Sequence, residues 1–211
     1  MNALPLRRPD PANGVPDERA SKVQARRDQV LTAAVECART AGFHAASMAQ
    51  IAKAAGLSVG QIYRYFENKE EIIAALVARE AASTREALSR IDRSPGPLLD
   101  TITAHLPEEI DRCLEPGRTA LRLEILAEAA RNPAVAETVR EADARETALS
   151  AQLMARLRRP EWSDEAFQAR LEMVGLMFDG LQTLAVRRPE VDGQALTGRL
   201  EAMIGLLFAQ D

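Results

Sequence analysis

A chain of 211 residues can bury a sizeable core in one or two compact units, and its make-up, 46% hydrophobic but only 4% aromatic with alanine and leucine recurring throughout, favours helix over strand. No stretch reaches the ~18 uninterrupted apolar residues of a membrane span. The first residues also lack the apolar centre of a secretory signal, and Cys37 and Cys113 are too far apart to form a close-spaced pair, so the expectation is a cytoplasmic protein whose cysteines fill core. The formal net charge of −4 is uneven: residues 1–70 carry ten Lys and Arg against seven Asp and Glu, the remainder 17 against 24, which concentrates basic charge at the front.

In chain order, residues 1–21 hold Pro5, Pro9, Pro11 and Pro16 with Asn13 and Gly14, and read as a disordered tail whose Arg7 and Arg8 are either solvated or close to phosphate. From Lys22, the residues Val30, Leu31, Ala34, Val35 and Ala38 form one helical stripe that stops at Gly42. Ser47-Met48-Ala49-Gln50 has the form of a capping box and opens a second helix ending near Ala55. Ser58-Val59-Gly60-Gln61 repeats the device for a third, running to Phe66. Asn68, with Glu71 three residues on, caps a fourth helix bearing Ile72, Ile73, Leu76 and Leu88, which ends at Ser94-Pro95-Gly96-Pro97. Helices then follow at about 98–114, 119–131, 133–158, 163–187 and 193–209, punctuated by Pro116-Gly117, Asn132-Pro133, Pro160 and Pro189. The expected division is a tail over 1–21, a three-helix helix-turn-helix domain over 22–68 and a larger helical bundle over 69–211.

The segment Gln50–Ile62 carries the most information. Ala52 permits a close helix crossing, Gly56 can take a left-handed turn, and Ile51, Leu57 and Ile62 supply a buried wedge. Such a unit turns the face of its second helix outward, where it can enter a major groove. Phe43 through Leu76 resembles the DNA-binding region of the TetR family in Ile51-Ala52, Ala55-Gly56-Leu57-Ser58, Tyr63-Arg64-Tyr65-Phe66 and Lys69-Glu70. The resemblance implies a cytoplasmic regulator that binds double-stranded operator DNA as a homodimer, with Tyr63, Tyr65 and Lys69 at phosphates.

Base reading then falls to exposed side chains early in the recognition helix. Val59 can meet a thymine methyl, Gln61 an adenine edge, and Arg64 a guanine or a phosphate, while Gly60 allows close approach. Ser47 and Ser58 stand at helix starts and can hold phosphate, although capping is a sufficient job for each. Gln61 can likewise merely complete its capping box, and either tyrosine can be packed in the three-helix core.

The later helices fit the family's second domain, a bundle for dimerisation and ligand binding. Phe167, Leu171, Val174, Phe178 and Leu181 share one face of the penultimate helix, and Met173, Leu176, Met177, Gly180 and Leu184 cover much of the rest. The last helix repeats this with Leu196, Leu200, Met203, Ile204, Leu207 and Phe208, so the two pair with their copies as an intersubunit four-helix bundle. Leu121–Asp143 and Phe178-Asp179-Gly180-Leu181 also resemble a subgroup with betaine- and pyrimidine-responsive members. The arginine loop often found in that subgroup is replaced here by Arg158-Arg159-Pro160-Glu161-Trp162, so its ligand type does not transfer.

Candidates for lining a pocket for a small apolar or amphipathic ligand are Ile102, His105, Leu106, Leu126, Trp162, Phe167, Val174 and Phe178, with ordinary core packing as the alternative for each. With two histidines, no His/Cys cluster, no phosphate loop and no nucleophile beside an ordering base, neither a metal, nor a cofactor, nor an enzyme is expected. The expected function is a repressor released from its operator by a small molecule. The alternatives are a DNA-binding regulator without an inducer and a helical carrier or enzyme.

Overall fold

Side-chain caps decide where most of the helices begin. The computed structural model describes residues 18–208, which form α1 (Glu18–Ala45), α2 (Met48–Ala54), α3 (Val59–Ile62), α4 (Lys69–Arg93), α5 (Leu98–Leu114), α6 (Pro116–Ala129), α7 (Pro133–Met154), α8 (Asp164–Arg187) and α9 (Gly193–Phe208), with no strand among them. Ser47, Ser58, Asn68, Asn132 and Ser163 each accept hydrogen bonds from the first-turn amides of the helix that follows, satisfying donors that have no partner within the helix.

The bounds differ from expectation where local chemistry is stronger than the pattern. α6 starts at Pro116 rather than 119, because proline suits the first helical position and the Glu115 carboxylate receives the amides of Gly117 and Arg118. α1 does not end at Gly42 but kinks there and continues to Ala45. α3 is a single turn, and α7 gives way after Met154 to a short 3₁₀ turn over Ala155–Leu157. Of the tail expected over 1–21, residues 1–17, with Arg7 and Arg8, lie outside the described residues, and 18–21 form the first turn of α1.

Two apolar cores organise the molecule. The first gathers Val30, Ala34 and Ala38 of α1, Ile51 and Ala52 of α2, Ile62 of α3 and Ile72, Ile73 and Leu76 of α4, and it is closed by Leu121 and Ile125 of α6 and Val135 of α7. The packing unit therefore runs past residue 68 and includes part of the bundle. The second core lies among α5, α8 and α9, built on Leu106, Ile110, Leu181, Leu200, Ile204 and Phe208.

One face of α8 and α9 stays uncovered: Met173, Leu176, Met203 and Leu206 are 51%, 65%, 49% and 83% exposed. On the same two helices, no atom lies within 4 Å of where a Cβ would stand at Gly175, Gly180, Gly198 or Gly205, so these glycines serve no close packing within the chain.

Gly42 has φ 78° and ψ 154°, a conformation that only glycine adopts at low cost, and a Cβ there would lie 3.0 Å from the Glu124 Oε2 of α6. Gly42→Ala is expected to lower stability by about 1–3 kcal/mol, read from the urea midpoint at unchanged slope. An unmoved midpoint would remove the backbone constraint.

Candidate functional site

The helix-turn-helix is built from two successive capping boxes. In the first, the Ser47 Oγ receives the Gln50 amide at 3.3 Å while the Gln50 Oε1 receives the Ser47 amide at 2.8 Å. In the second, Ser58 and Gln61 do the same at 3.2 and 2.8 Å. Between them Gly56 takes φ 66°, and the Leu57 amide reaches back to the Ala52 carbonyl at 2.9 Å. Ile51, Ala52 and Ile62 are fully buried beneath the turn, so the turn is fixed from both sides and its outer face is free of core work.

That outer face holds most of the sequence-identified residues. Ser47, Ser58, Val59, Gly60, Gln61, Tyr63 and Arg64 are all exposed, with Tyr63 at 51%. Tyr65 is half-buried and packs against the first core. For Gln61, capping occupies one lone pair of the amide oxygen, and the second lone pair and the Nε2 hydrogens remain for another partner.

Lys69 is put to a different use from the phosphate contact its motif implies. Its ammonium donates to the Phe43 carbonyl at 2.6 Å and the His44 carbonyl at 3.4 Å, at the end of α1, and stands 4.0 Å from the buried carboxylate of Glu128. Glu128, itself 5% exposed, also meets Arg131 at 3.3 Å. Nearby, the Phe43 amide donates to Glu124 at 3.2 Å and the Asn132 side-chain amide donates to Glu70 at 3.0 Å. Glu124, Glu128 and Asn132 thus form a polar clasp between the end of α6 and the junction of α1 with α4.

Two further anchors escape pattern reading because they depend on contacts distant in sequence. Arg27 of α1 donates to the Tyr65 carbonyl, lies 4.1 Å over the Phe66 ring and pairs with Glu71 at 3.5 Å. Gln29 donates to the Ala55 carbonyl at 2.6 Å. One helix therefore holds the C-terminal ends of both α2 and the α3 turn, fixing the aim of the exposed face.

Within the bundle, a cavity of about 680 Å³, open to solvent on part of its surface, is lined by α4 to α8 with Ile204 of α9, within the usual size range of small-molecule sites. Ile102, His105, Leu106, Leu126, Val174 and Phe178 line it. Trp162 and Phe167 do not: Trp162 meets Phe208 edge-on at 6.1 Å beneath the Arg170 guanidinium, and Phe167 is buried under Arg158. This arginine-aromatic stack fastens the α7–α8 connection to the end of α9, where Arg170 also donates to the Leu207 carbonyl at 2.9 Å.

The polar part of the lining is largely self-neutralised. Arg90 pairs with Glu108 at 2.8 Å, Arg112 with Glu109 at 2.9 Å, and Arg118 with Glu80. Arg122 meets Asp179 at 3.5 Å. The His105 Nδ1–H donates to the Thr101 carbonyl at 2.8 Å, which leaves Nε2 as the free ring nitrogen. Burial, reinforced by Glu109, pushes the Cys113 thiol up to about 12, so it lines the cavity as a thiol rather than a reactive thiolate. No cluster of three or more metal-ligating side chains occurs among the described residues.

Residues 30–76, the segment just described, match the family model for bacterial regulatory proteins of the tetR family. Over this segment the chain is similar to tetR-family regulatory proteins. Relatives of this chain include the HTH-type transcriptional regulator UidR of Escherichia coli K12, 34% identical over 121 residues that make up 57% of this chain and 60% of UidR. The chain thus spans less than two thirds of that relative's length. Over a shorter stretch of 48 residues, 23% of this chain and 25% of the relative, it is 46% identical to the fatty acid metabolism regulator protein of Bacillus subtilis.

Solved structures with the same fold include Salmonella enterica GusR, with a TM-score of 0.68 at 26% identity over 88% of this chain and 96% of that one. Bacillus subtilis FadR in complex with stearoyl-CoA has a TM-score of 0.71 at 19% identity, covering 86% of this chain and 97% of that one.

The clasp makes Glu128 a stability residue of this chain. Glu128→Ala strands a buried ammonium and is expected to cost about 3 kcal/mol, read from chemical denaturation. A loss below half a kcal/mol would show that Lys69 needs only the α1 carbonyls.

Proposed function

We propose that this protein is a cytoplasmic, homodimeric repressor that binds operator DNA through α2 and α3 and leaves it when a small molecule fills the bundle cavity. The observation that carries the DNA assignment is the exposed face of α3 and its following turn, freed from core packing by two capping boxes within the segment matched to the family. Val59, Gly60, Gln61 and Arg64 face the bases, and Tyr63, Tyr65, Ser47 and Ser58 the backbone phosphates, with Lys69 holding the domain to α6.

A single α3 turn binds weakly alone, so two copies are needed to read half-sites in successive major grooves. The uncovered apolar faces of α8 and α9 supply the contact between copies. Ligand control is supported by the sharing of α6, whose Leu121 and Ile125 both close the first core and line the cavity. The bound stearoyl-CoA in FadR is a precedent within the same fold for small-molecule binding.

Selection of genomic fragments by the purified protein, followed by titration at two salt concentrations, tests the DNA assignment. A near-palindromic site is expected, and Arg64→Ala should weaken it by about 1–3 kcal/mol. Salt-sensitive binding with no sequence preference would sink the assignment.

For the dimer, Leu176→Glu combined with Leu206→Glu should give a monomer by light scattering with operator affinity reduced at least tenfold. A dimer that survives both changes lies elsewhere.

A further inference from the structure

Charge accounting around the cavity says which chemistry fits inside it, given the ligand-responsive reading above. Its lining holds seven carboxylates against four guanidiniums, and each of the four guanidiniums already faces a carboxylate of this chain. The excess is therefore negative. It is carried by Asp143 and Glu146 of α7, which act on one another, and by Glu172 of α8, whose carboxylate accepts from Gln168 at 3.4 Å.

Glu146 is the member of this group set into the wall. It is half-buried, and among the described residues neither an ion pair nor a hydrogen bond satisfies its carboxylate. Burial pushes it above the usual carboxylate range, with Arg122 pulling the other way and Asp143 adding to the rise. A carboxylate held short of water and of a partner is costly to keep charged. Other polar groups on the wall are the His105 ring, the hydroxyls of Thr84, Thr147 and Ser150, and the side-chain amides of Gln168 and Gln182, of which Gln168 donates to Glu172. Deeper in, Leu106, Leu153, Met154, Leu171 and Phe178 make the wall apolar.

We propose that the cavity takes an amphipathic organic cation, its apolar body against Leu106, Met154, Leu171 and Phe178 and its ammonium-type head beside Glu146 with Asp143 and Glu172 close by. An anionic amphiphile meets the opposite situation. Its head would compete with the protein carboxylates that already face Arg112, Arg118 and Arg122. The anionic acyl-CoA class bound by the FadR fold relative is accordingly disfavoured here.

The test compares three probes of equal chain length below their micellar concentrations: decyltrimethylammonium, decanoate and decanol. Binding to the full-length protein is followed by titration calorimetry, and operator release by DNA anisotropy on the same samples. Decyltrimethylammonium should bind at least tenfold more tightly than decanoate. Glu146→Gln should erase most of that preference while leaving decanol binding unchanged, and Asp143→Asn should reduce it by a smaller factor. Thermal melts of both variants confirm that a lost preference is not lost folding.

Equal or tighter binding of decanoate overturns the cation assignment, and if decanoate also frees the operator, ligand control stands without it. A Glu146-dependent cation that leaves operator affinity unchanged keeps the cation assignment and overturns ligand control. Binding of none of the three overturns the cavity as an amphiphile site.

Discussion

The architecture depends on the way α6 is held at its C-terminal end. Glu124 takes the Phe43 amide, Glu128 faces the Lys69 ammonium, and Asn132 donates to Glu70. These contacts are polar and directional, unlike the apolar packing of Leu121 and Ile125 on the same helix. Together they lock the helix-turn-helix unit to α6 in one orientation. Without the clasp, apolar packing alone would still hold the two parts together but would fix their angle less sharply, because hydrophobic burial is not directional.

From that fixed joint the rest follows in two directions. Toward the N-terminus, α1 carries the anchors Arg27 and Gln29, so the aim of α3 is set by a helix that is itself pinned at Phe43. Toward the bundle, α6 lines the cavity together with α5 and α8, whose own core includes Ile110, Leu181 and Ile204. The cavity and the first core therefore share helices, α6 with α4 and α7, rather than being joined by a flexible linker.

Helix-level organisation was legible in the sequence because it is written in local chemistry. Ser58 and Gln61 stand three residues apart, and that spacing alone specifies the cap. Gly56 and Ala52 likewise mark the turn by what they lack. Roles that depend on residues distant in the chain were not legible. Lys69 carries the family motif, yet its ammonium closes on carbonyls 25 and 26 positions earlier. The aromatic pattern of α8 put Phe167 with the cavity-lining residues, but Arg158 and Arg170 draw its end of the helix into a separate stack with Trp162. Glu146 gave no signal, since a single glutamate on a charged helix becomes notable only when its neighbours have spent their guanidiniums elsewhere.

That α6 closes the first core and also walls the cavity has a thermodynamic corollary. Two sites that bias one helix are linked by a single coupling free energy, and that energy has the same size whichever site is filled first. A molecule in the cavity that loosens the hold on DNA by some factor must itself be held more loosely, by that same factor, when the protein sits on DNA. Operator-bound and free copies would then sense different concentrations of the same compound, the free pool responding first and the occupied site last.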